Sequence, residues 1–164
     1  MPRKFVIAII GSGSDVEPAV SNASELGRLV AEKGWVLITG GRNKGVMKAA
    51  NCGAKQAKNC LNIGIINNRD VEISPDVDVA IVTDTGEAKN NIIVLSADVV
   101  IACGIDEAGT ASEVALALKN GKHVILLEAN DSARKFFTGI GENSIHTATS
   151  PEEAIHIASE LDLA

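Results

Sequence analysis

The segment 104–113 joins a predicted strand to a predicted helix and combines glycines with hydroxyl and carboxyl side chains. Free backbone amides at the start of a helix bind anions when small side chains let the anion approach them. The segment offers such small residues throughout: Gly104, Ala108, Gly109, Ala111 and Ser112. Its composition therefore predicts a site for a phosphorylated ligand.

Thr110 and Glu113 have a second interpretation as a capping box. In that motif the threonine hydroxyl accepts a hydrogen bond from the Glu113 amide, and the Glu113 carboxylate accepts one from the Thr110 amide. A capping box needs no ligand and accounts for both side chains. Their spacing alone favours the cap, whereas the glycines in neighbouring loops favour the anion site.

Two other predicted strands are also followed by glycine-rich loops. Gly11-Ser12-Gly13 follows the first strand, and Gly40-Gly41-Arg42 with Gly45-Val46 follows the second. Ligands of parallel sheets bind beyond the carboxyl ends of the strands. We therefore expect the three loops to meet at one edge of the sheet and to form one binding crevice.

Some charged residues in or near these loops favour a phosphate site, and others oppose it. Arg42 and Lys89 could contribute positive charge to a phosphate site, whereas Lys44 is interpreted as solvated surface charge. Asp106 and Glu107 would repel a phosphate unless they point outward.

The common nucleotide and catalytic motifs are incomplete. Gly11-Ser12-Gly13 begins like a dinucleotide-binding fingerprint, but Val16 stands where the third glycine should be. A P-loop, a Gly-x-Ser-x-Gly elbow and a His-Glu-x-x-His zinc motif are missing from the sequence. His123 begins an apolar strand and is interpreted as structural. We find no convincing set of catalytic residues and no metal-ligand motif.

Apolar runs of strand length alternate with helical periodicity along the chain, which is typical of a doubly wound α/β domain. The predicted strands are 5–10, 35–38, 61–66, 79–82, 99–102 and 124–127. The predicted helices are about 19–33, 46–58, 88–96 and 110–120, with a last one after Ser150-Pro151. Strands that are apolar throughout predict a Rossmann-like, mostly parallel sheet with helices on both faces.

Length and composition fit a single domain over residues 1–164. We expect the protein to be cytoplasmic. Aromatic residues make up only 2% of the chain, so the core must be aliphatic. The net charge of −6 argues against a broad surface for nucleic acid or for an anionic membrane. No targeting or membrane-spanning segment is evident, and we interpret Cys52, Cys60 and Cys103 as small buried hydrophobic residues.

Several segments, in order, resemble the LOG-like superfamily of Rossmann-type proteins, once described as lysine decarboxylases. They are Gly40-Gly41 with Gly45-Val46-Met47, Gly53-Ala54-Lys55, Leu95-Ser96-Ala97-Asp98, Gly109-Thr110-x-x-Glu113 and Arg134-Lys135-Phe136-Phe137-Thr138. The resemblance covers nearly the whole chain, and it is closest to the molybdenum cofactor carriers. These proteins bind a molybdenum–dithiolene pterin that ends in a phosphate.

The resemblance implies a non-catalytic carrier that protects molybdenum cofactor and delivers it to molybdoenzymes. It also implies a homo-oligomer, a dimer or a tetramer. The residues expected to bind the cofactor are Gly11, Ser12, Gly13, Gly40, Gly41, Arg42, Gly45, Val46, Lys89, Gly104, Ala108, Gly109, Thr110, Ala111, Ser112 and Glu113.

LOG enzymes, which hydrolyse nucleoside 5′-monophosphates, provide the alternative interpretation. Their pattern is Pro-Gly-Gly-x-Gly-Thr-x-x-Glu with an upstream arginine. Here the stretch from Cys103 to Thr110 lacks the proline and the paired glycine, and Lys89 replaces the arginine. Lysine keeps the charge but loses the planar, bidentate donor geometry of arginine. A nucleotide-binding protein without catalysis is a further alternative.

Overall fold

A computed structural model describes residues 3–162 of the chain and contains one seven-stranded sheet. The strands are β1 (Val6–Gly11), β2 (Val36–Thr39), β3 (Leu61–Ile66), β4 (Val79–Val82), β5 (Val99–Cys103), β6 (His123–Leu127) and β7 (Ile145–Ala148). Strand β5 is buried at every position, because helices cover both faces of the sheet there. This is why its sequence is uniformly apolar rather than alternating.

Six α-helices accompany the strands within residues 3–162. They are α1 (Ala19–Glu32), α2 (Gly45–Ala54), α3 (Lys89–Ser96), α4 (Ala108–Lys119), α5 (Asp131–Gly141) and α6 (Pro151–Asp162). Helix α6 begins with a cap: the Glu153 amide donates to Ser150 Oγ at 3.2 Å, and the Glu153 carboxylate accepts from the Thr149 amide at 2.7 Å. Helix α5 begins after Asn130, whose side chain accepts from the Ala133 amide at 2.9 Å.

All neighbouring strands are parallel and follow the order β4-β3-β2-β1-β5-β6-β7. The order therefore reverses between β1 and β5, which are paired from Ile7 with Val99 to Gly11 with Cys103. The chain winds outward from this point in both directions. A crevice opens at such a reversal, beyond the carboxyl ends of the two strands.

Two hydrophobic clusters lie on opposite faces of the sheet. Alternate residues of β1 serve different clusters: Ile7 and Ile9 join α1, α2 and α6, whereas Ala8 and Ile10 join α3, α4 and α5. Both clusters are almost wholly aliphatic, as the low aromatic content predicts. The expected α/β fold with helices on both faces is thus confirmed, and the sheet is parallel throughout.

The structure also corrects parts of the prediction. Strand β7 and helix α5 were not predicted. Helix α2 ends at Ala54, four residues before the expected 58, and α4 starts at Ala108 rather than Thr110.

The three cysteines were interpreted as buried hydrophobic residues. Cys103 is buried as expected, but the interpretation was wrong for Cys52, which is exposed, and for Cys60, which is only partly buried. Within residues 3–162, the helices are too short or too polar to cross a membrane.

Candidate functional site

A cavity of about 300 Å³ lies at the carboxyl ends of β1 and β5, where the strand order reverses. The end of β1 forms its floor, and the loops after β1 and β2, the start of α3 and the first turns of α4 form its walls. Its volume falls at the lower end of the range for small-molecule sites, about 300–1,000 Å³. The lining residues are Ile9, Ile10, Gly11, Gly13, Ser14, Gly40, Arg42, Lys44, Met47, Glu87, Lys89, Asn90, Glu107, Gly109, Thr110 and Glu113.

The loops after β1 and β2 are bonded to each other. The Val46 amide donates to the Ser12 carbonyl at 2.9 Å, and the Gly45 amide donates to Asp15 Oδ1 at 3.1 Å. Gly45 has a φ of +56°, and an added Cβ would lie 2.2 Å from the Ser12 oxygen. Only glycine lets the loops approach this closely, so Gly45 shapes the cavity wall without lining it.

Buried polar contacts hold the loop after β2. The Gly41 amide donates to Thr39 Oγ1 at 3.0 Å, and the Gly41 carbonyl accepts from the Ser74 amide at 2.8 Å. The buried Asn51 and Thr39 side chains are bonded to each other, and Asn62 Nδ2 donates to the Asn51 carbonyl at 3.1 Å. The arginine that follows Gly41 therefore extends from a well-anchored backbone.

Thr110 is the buried polar group at the start of α4. The first helical hydrogen bond runs from the Ala111 amide to the Glu107 carbonyl at 3.1 Å, so the amides of 108–110 precede the intrahelical bonds. Thr110 is only 1% exposed, yet its Oγ1 has no hydrogen-bond partner among residues 3–162. The capping-box interpretation was therefore wrong: Thr110 lies inside the helix and lines the cavity.

Glu113, one turn further along α4, also lines the cavity. It is 8% exposed, and its carboxyl accepts no hydrogen bond from the described part of the chain. Burial raises the pKa of Glu113 to about 7; Lys89 opposes this rise, and Glu87 and Glu107 add to it. A carboxyl that titrates near neutrality is thus placed in the cavity wall.

Lys89 begins α3 and faces the same space. It is 6% exposed, and its Nζ donates to Asn90 Oδ1 at 3.1 Å. Burial lowers the pKa of Lys89, while Glu113 and Glu87 act to raise it. An added Cβ on Gly40 would lie 3.1 Å from Lys89 Nζ, so the missing side chain makes room for the ammonium.

The remaining charges lie nearer the mouth of the cavity. Arg42 and Lys44 line it from the loop after β2. Lys44 is exposed, as expected, but it also lines the cavity and is therefore more than surface charge. Of the two loop carboxylates, Glu107 lines the cavity, where it accepts from Ser12 Oγ at 3.2 Å, and Asp106 does not line it. The site therefore mixes both signs of charge.

Some of the residues expected to bind the ligand line the cavity, and others do not. Those that line it are Gly11, Gly13, Gly40, Arg42, Lys89, Gly109, Thr110 and Glu113. Those outside the lining are Ser12, Gly41, Gly45, Val46, Gly104, Ala108, Ala111 and Ser112. Several of the second group act on the backbone: Val46 is buried against Gly11, and Ser112 Oγ donates to the Gly109 carbonyl at 2.6 Å.

Sequence reasoning missed lining residues that stand beside predicted ones. Glu87 and Asn90 flank Lys89 in the chain, and Met47 follows the glycine loop by two positions. Their closeness in sequence to predicted site residues could have identified them. Ile9 and Ile10 carry no such signal, because strand residues that form a cavity floor look like any other core residues.

Comparison with known proteins places the chain among relatives of the same fold. Residues 4–155 match the SLOG cluster4 family. An uncharacterized protein of Archaeoglobus fulgidus is 43% identical over 122 residues, which are 74% of this chain and 79% of that protein.

Two solved structures share the architecture over almost the whole length. The molybdenum cofactor binding protein of the phototrophic bacterium Rippkaea orientalis is 48% identical, with a TM-score of 0.92 over 98% of both chains. The molybdenum cofactor carrier protein of Chlamydomonas reinhardtii is 42% identical, with a TM-score of 0.92 over 98% of this chain and 100% of that one.

Proposed function

This chain belongs to the SLOG cluster4 family, and we propose that it binds, protects and carries molybdenum cofactor in the cavity beyond β1 and β5. The cargo is a flat pterin joined to a dithiolene that holds molybdenum, with a terminal phosphate. A carrier of this cargo needs donors for the anionic groups, space for the ring and partial shielding from water. The two solved relatives named for molybdenum cofactor support the proposal.

The observation that carries the proposal is the unpartnered Thr110 hydroxyl. A buried hydroxyl without a partner is costly, by about 1–3 kcal/mol, and a ligand oxygen in the cavity would remove that cost. The amides of 108–110 lie at the same helix start and favour an anion there. Arg42 and Lys44 line the same cavity and add positive charge. We therefore assign the phosphate of the cargo to the start of α4.

We propose that the protein performs no catalysis on its cargo. A carrier needs no nucleophile, and Lys89 lacks the bidentate donor geometry of the arginine in LOG enzymes. The solved relatives are named as a binding protein and a carrier protein. The buried Glu113 carboxyl is the one observation that favours a phosphoribohydrolase, because perturbed carboxyls in cavities often serve as acids or bases.

We further propose that the chain forms a homo-oligomer and passes its cargo to molybdoenzymes. Strand β4 lies at the edge of the sheet, and its apolar residues are exposed, as are Ile92 and Leu95 of α3. An exposed apolar edge strand invites pairing with another chain. A second copy that covers this face would remove those side chains from water.

The test is to load the purified protein with molybdenum cofactor without oxygen, remove the free cofactor, and assay retained molybdenum and pterin. We expect both to be retained in equal amounts, and we expect the protein to slow the loss of cofactor in air. Retention of molybdenum without pterin, or of neither, contradicts the carrier function. Loading with molybdate alone is the matched control.

A further inference from the structure

The charged residues of the cavity are divided between its two sides. Arg42 and Lys44 come from the loop after β2, on the side of α2. The carboxyls of Glu87, Glu107 and Glu113 and the ammonium of Lys89 come from the other side, where α3 and α4 pack on the opposite face of the sheet. That side carries three carboxyls and one ammonium, so the end of a ligand that is rich in N–H donors would match it.

Glu113 attracts the buried Lys89 through its charge but forms no salt bridge with it. It forms neither a cap nor a salt bridge, and among residues 3–162 nothing donates a hydrogen bond to it. A buried carboxyl without donors is costly, and such groups in native proteins normally have a partner. The carboxyl lines the cavity, so a ligand group or a water molecule in the cavity supplies that partner.

Asn90 complements Glu113 on the same side of the cavity. Its side chain is buried, and its Oδ1 accepts from Lys89 Nζ at 3.1 Å. Its Nδ2 donates to no group in the described part of the chain and so is available to a ligand carbonyl. This side of the cavity therefore offers a carboxylate acceptor next to amide and ammonium donors.

We propose that Glu113 recognises the 2-amino-4-oxopyrimidine edge of the ligand, its carboxylate accepting from the ring N–H and from the exocyclic amine. Asn90 and Lys89 then donate to the ring carbonyl. Only a pyrimidine ring with two adjacent donors beside a carbonyl satisfies this set, and pterin and guanine both contain one. Adenine presents an amine beside a bare ring nitrogen and leaves the carboxylate half satisfied.

The geometry of α4 also fixes the orientation of the ligand. Glu113 follows Gly109 by four positions and Thr110 by three, about one turn or 5.4 Å further along the axis, and all three residues line the cavity. The phosphate at the start of the helix and the heterocycle beside Glu113 thus occupy neighbouring subsites. This assignment rests on the proposed function for the phosphate subsite and adds the heterocycle subsite to it.

The experiment measures binding of pterin-6-carboxylate, GMP, IMP, AMP and inorganic phosphate to the wild-type protein, to Glu113→Gln and to the control Glu160→Gln on the exposed surface of α6. We expect wild type to bind pterin-6-carboxylate and GMP about tenfold or more tightly than AMP, with IMP, which lacks the exocyclic amine, weaker than GMP. Glu113→Gln should remove this preference without weakening phosphate binding, because the variant only takes a negative charge away from the neighbouring subsite. Glu160→Gln should behave as wild type. Equal affinity for GMP and AMP in the wild-type protein would overturn the proposal without any variant.

The two ligand sources and the two proposals give different results. A preference for pterin over GMP, lost in Glu113→Gln, supports a pterin in this subsite. A preference for GMP over pterin, with no retention of molybdenum cofactor, supports the role of Glu113 and rejects the carrier function. If cofactor is retained equally by wild type and Glu113→Gln and the nucleotide preference is unchanged, the role of Glu113 is rejected and the carrier function stands.

Discussion

Lys89 and Glu113 attract each other within one buried wall of the cavity, yet neither a salt bridge nor a hydrogen bond joins their side chains. Burial acts against the charge on both: it raises the pKa of Glu113 to about 7 and lowers the pKa of Lys89. The free protein therefore keeps two poorly satisfied groups facing a space that a ligand can fill. This arrangement favours recognition at the expense of stability.

Glu113→Gln should change how stability depends on pH. The folded state holds the Glu113 proton more tightly than the unfolded state, in which the pKa is near its ordinary value of 4.5. Its contribution to stability is thus complete below pH 4.5 and is lost as pH rises through about 7. Denaturant unfolding should show the variant gaining about 3 kcal/mol relative to wild type between these limits. Parallel profiles for the two proteins would contradict a buried, protonated carboxyl.

Thr110→Val should weaken anion binding without loss of stability. Valine has nearly the same shape and replaces an unpartnered buried hydroxyl with a methyl group, so the free protein should be as stable as wild type or more stable by about 1 kcal/mol. Affinity for phosphate and for molybdenum cofactor should fall. Melting curves and titrations measure the two effects separately. A stability loss of about 1 kcal/mol would instead restore the capping role.

The same sequence pattern has two outcomes in this chain, which shows where sequence reasoning failed. Ser150-x-x-Glu153 forms a cap because α6 begins at Pro151, directly after the serine. Thr110-x-x-Glu113 forms none, because α4 begins two residues before the threonine. A shift of three residues in the helix start, from 111 to Ala108, turns both side chains from the helix end toward the cavity. The pattern does not reveal where the helix starts, so this part of the site required the structure.

Elements with a continuous apolar sequence could be predicted from the sequence, whereas elements of mixed polarity could not. Apolar runs located β1, β2, β3, β5 and β6, which lie between two layers of helix, and also the edge strand β4, although its four apolar residues are exposed. Strand β7 lies at an edge, and only the first and last of its four residues, Ile145 and Ala148, are apolar. Helix α5 is mostly exposed, including Phe136 and Ile140. Neither element carries enough buried surface to produce a clear pattern.

Arg42→Ala should weaken ligand binding and leave the fold intact. The guanidinium lines the cavity and makes no salt bridge in the described part of the chain, so stability should change by no more than about 0.5 kcal/mol. Loss of a charge-assisted contact should lower affinity for molybdenum cofactor on the order of tenfold or more. Arg69→Ala, at an exposed arginine outside the cavity, is the matched control. Equal affinities for all three proteins would show that Arg42 is surface charge.

Incubation with AMP, or with a cytokinin-type monophosphate, should release no free base above the rate without protein. The reason is that the resemblance to LOG enzymes puts Lys89 at the position of their arginine, and lysine lacks the bidentate donor geometry of arginine. Chromatographic detection of the base measures the release. Enzyme-like release that Glu113→Gln abolishes would establish a phosphoribohydrolase in place of a carrier.

Ile81→Lys should reduce the size of the assembly. Ile81 lies in the exposed edge strand β4, and a charge there opposes burial against a second copy. Light scattering should give a mass above one chain for wild type and a smaller mass for the variant. Val16→Lys, also exposed but away from β4 and α3, should leave the mass unchanged. A monomeric wild-type protein would refute the oligomer.

The Thr39–Asn51–Asn62 contacts have a kinetic consequence for ligand capture. They anchor the backbone of the loop that carries Arg42, and the Gly41 amide is bonded to a buried hydroxyl. That amide should therefore exchange with deuterium far more slowly than loop amides usually do. Because the loop need not become ordered first, association should follow a single phase whose rate rises linearly with ligand concentration. The rate of ligand binding is then not limited by a movement of this loop.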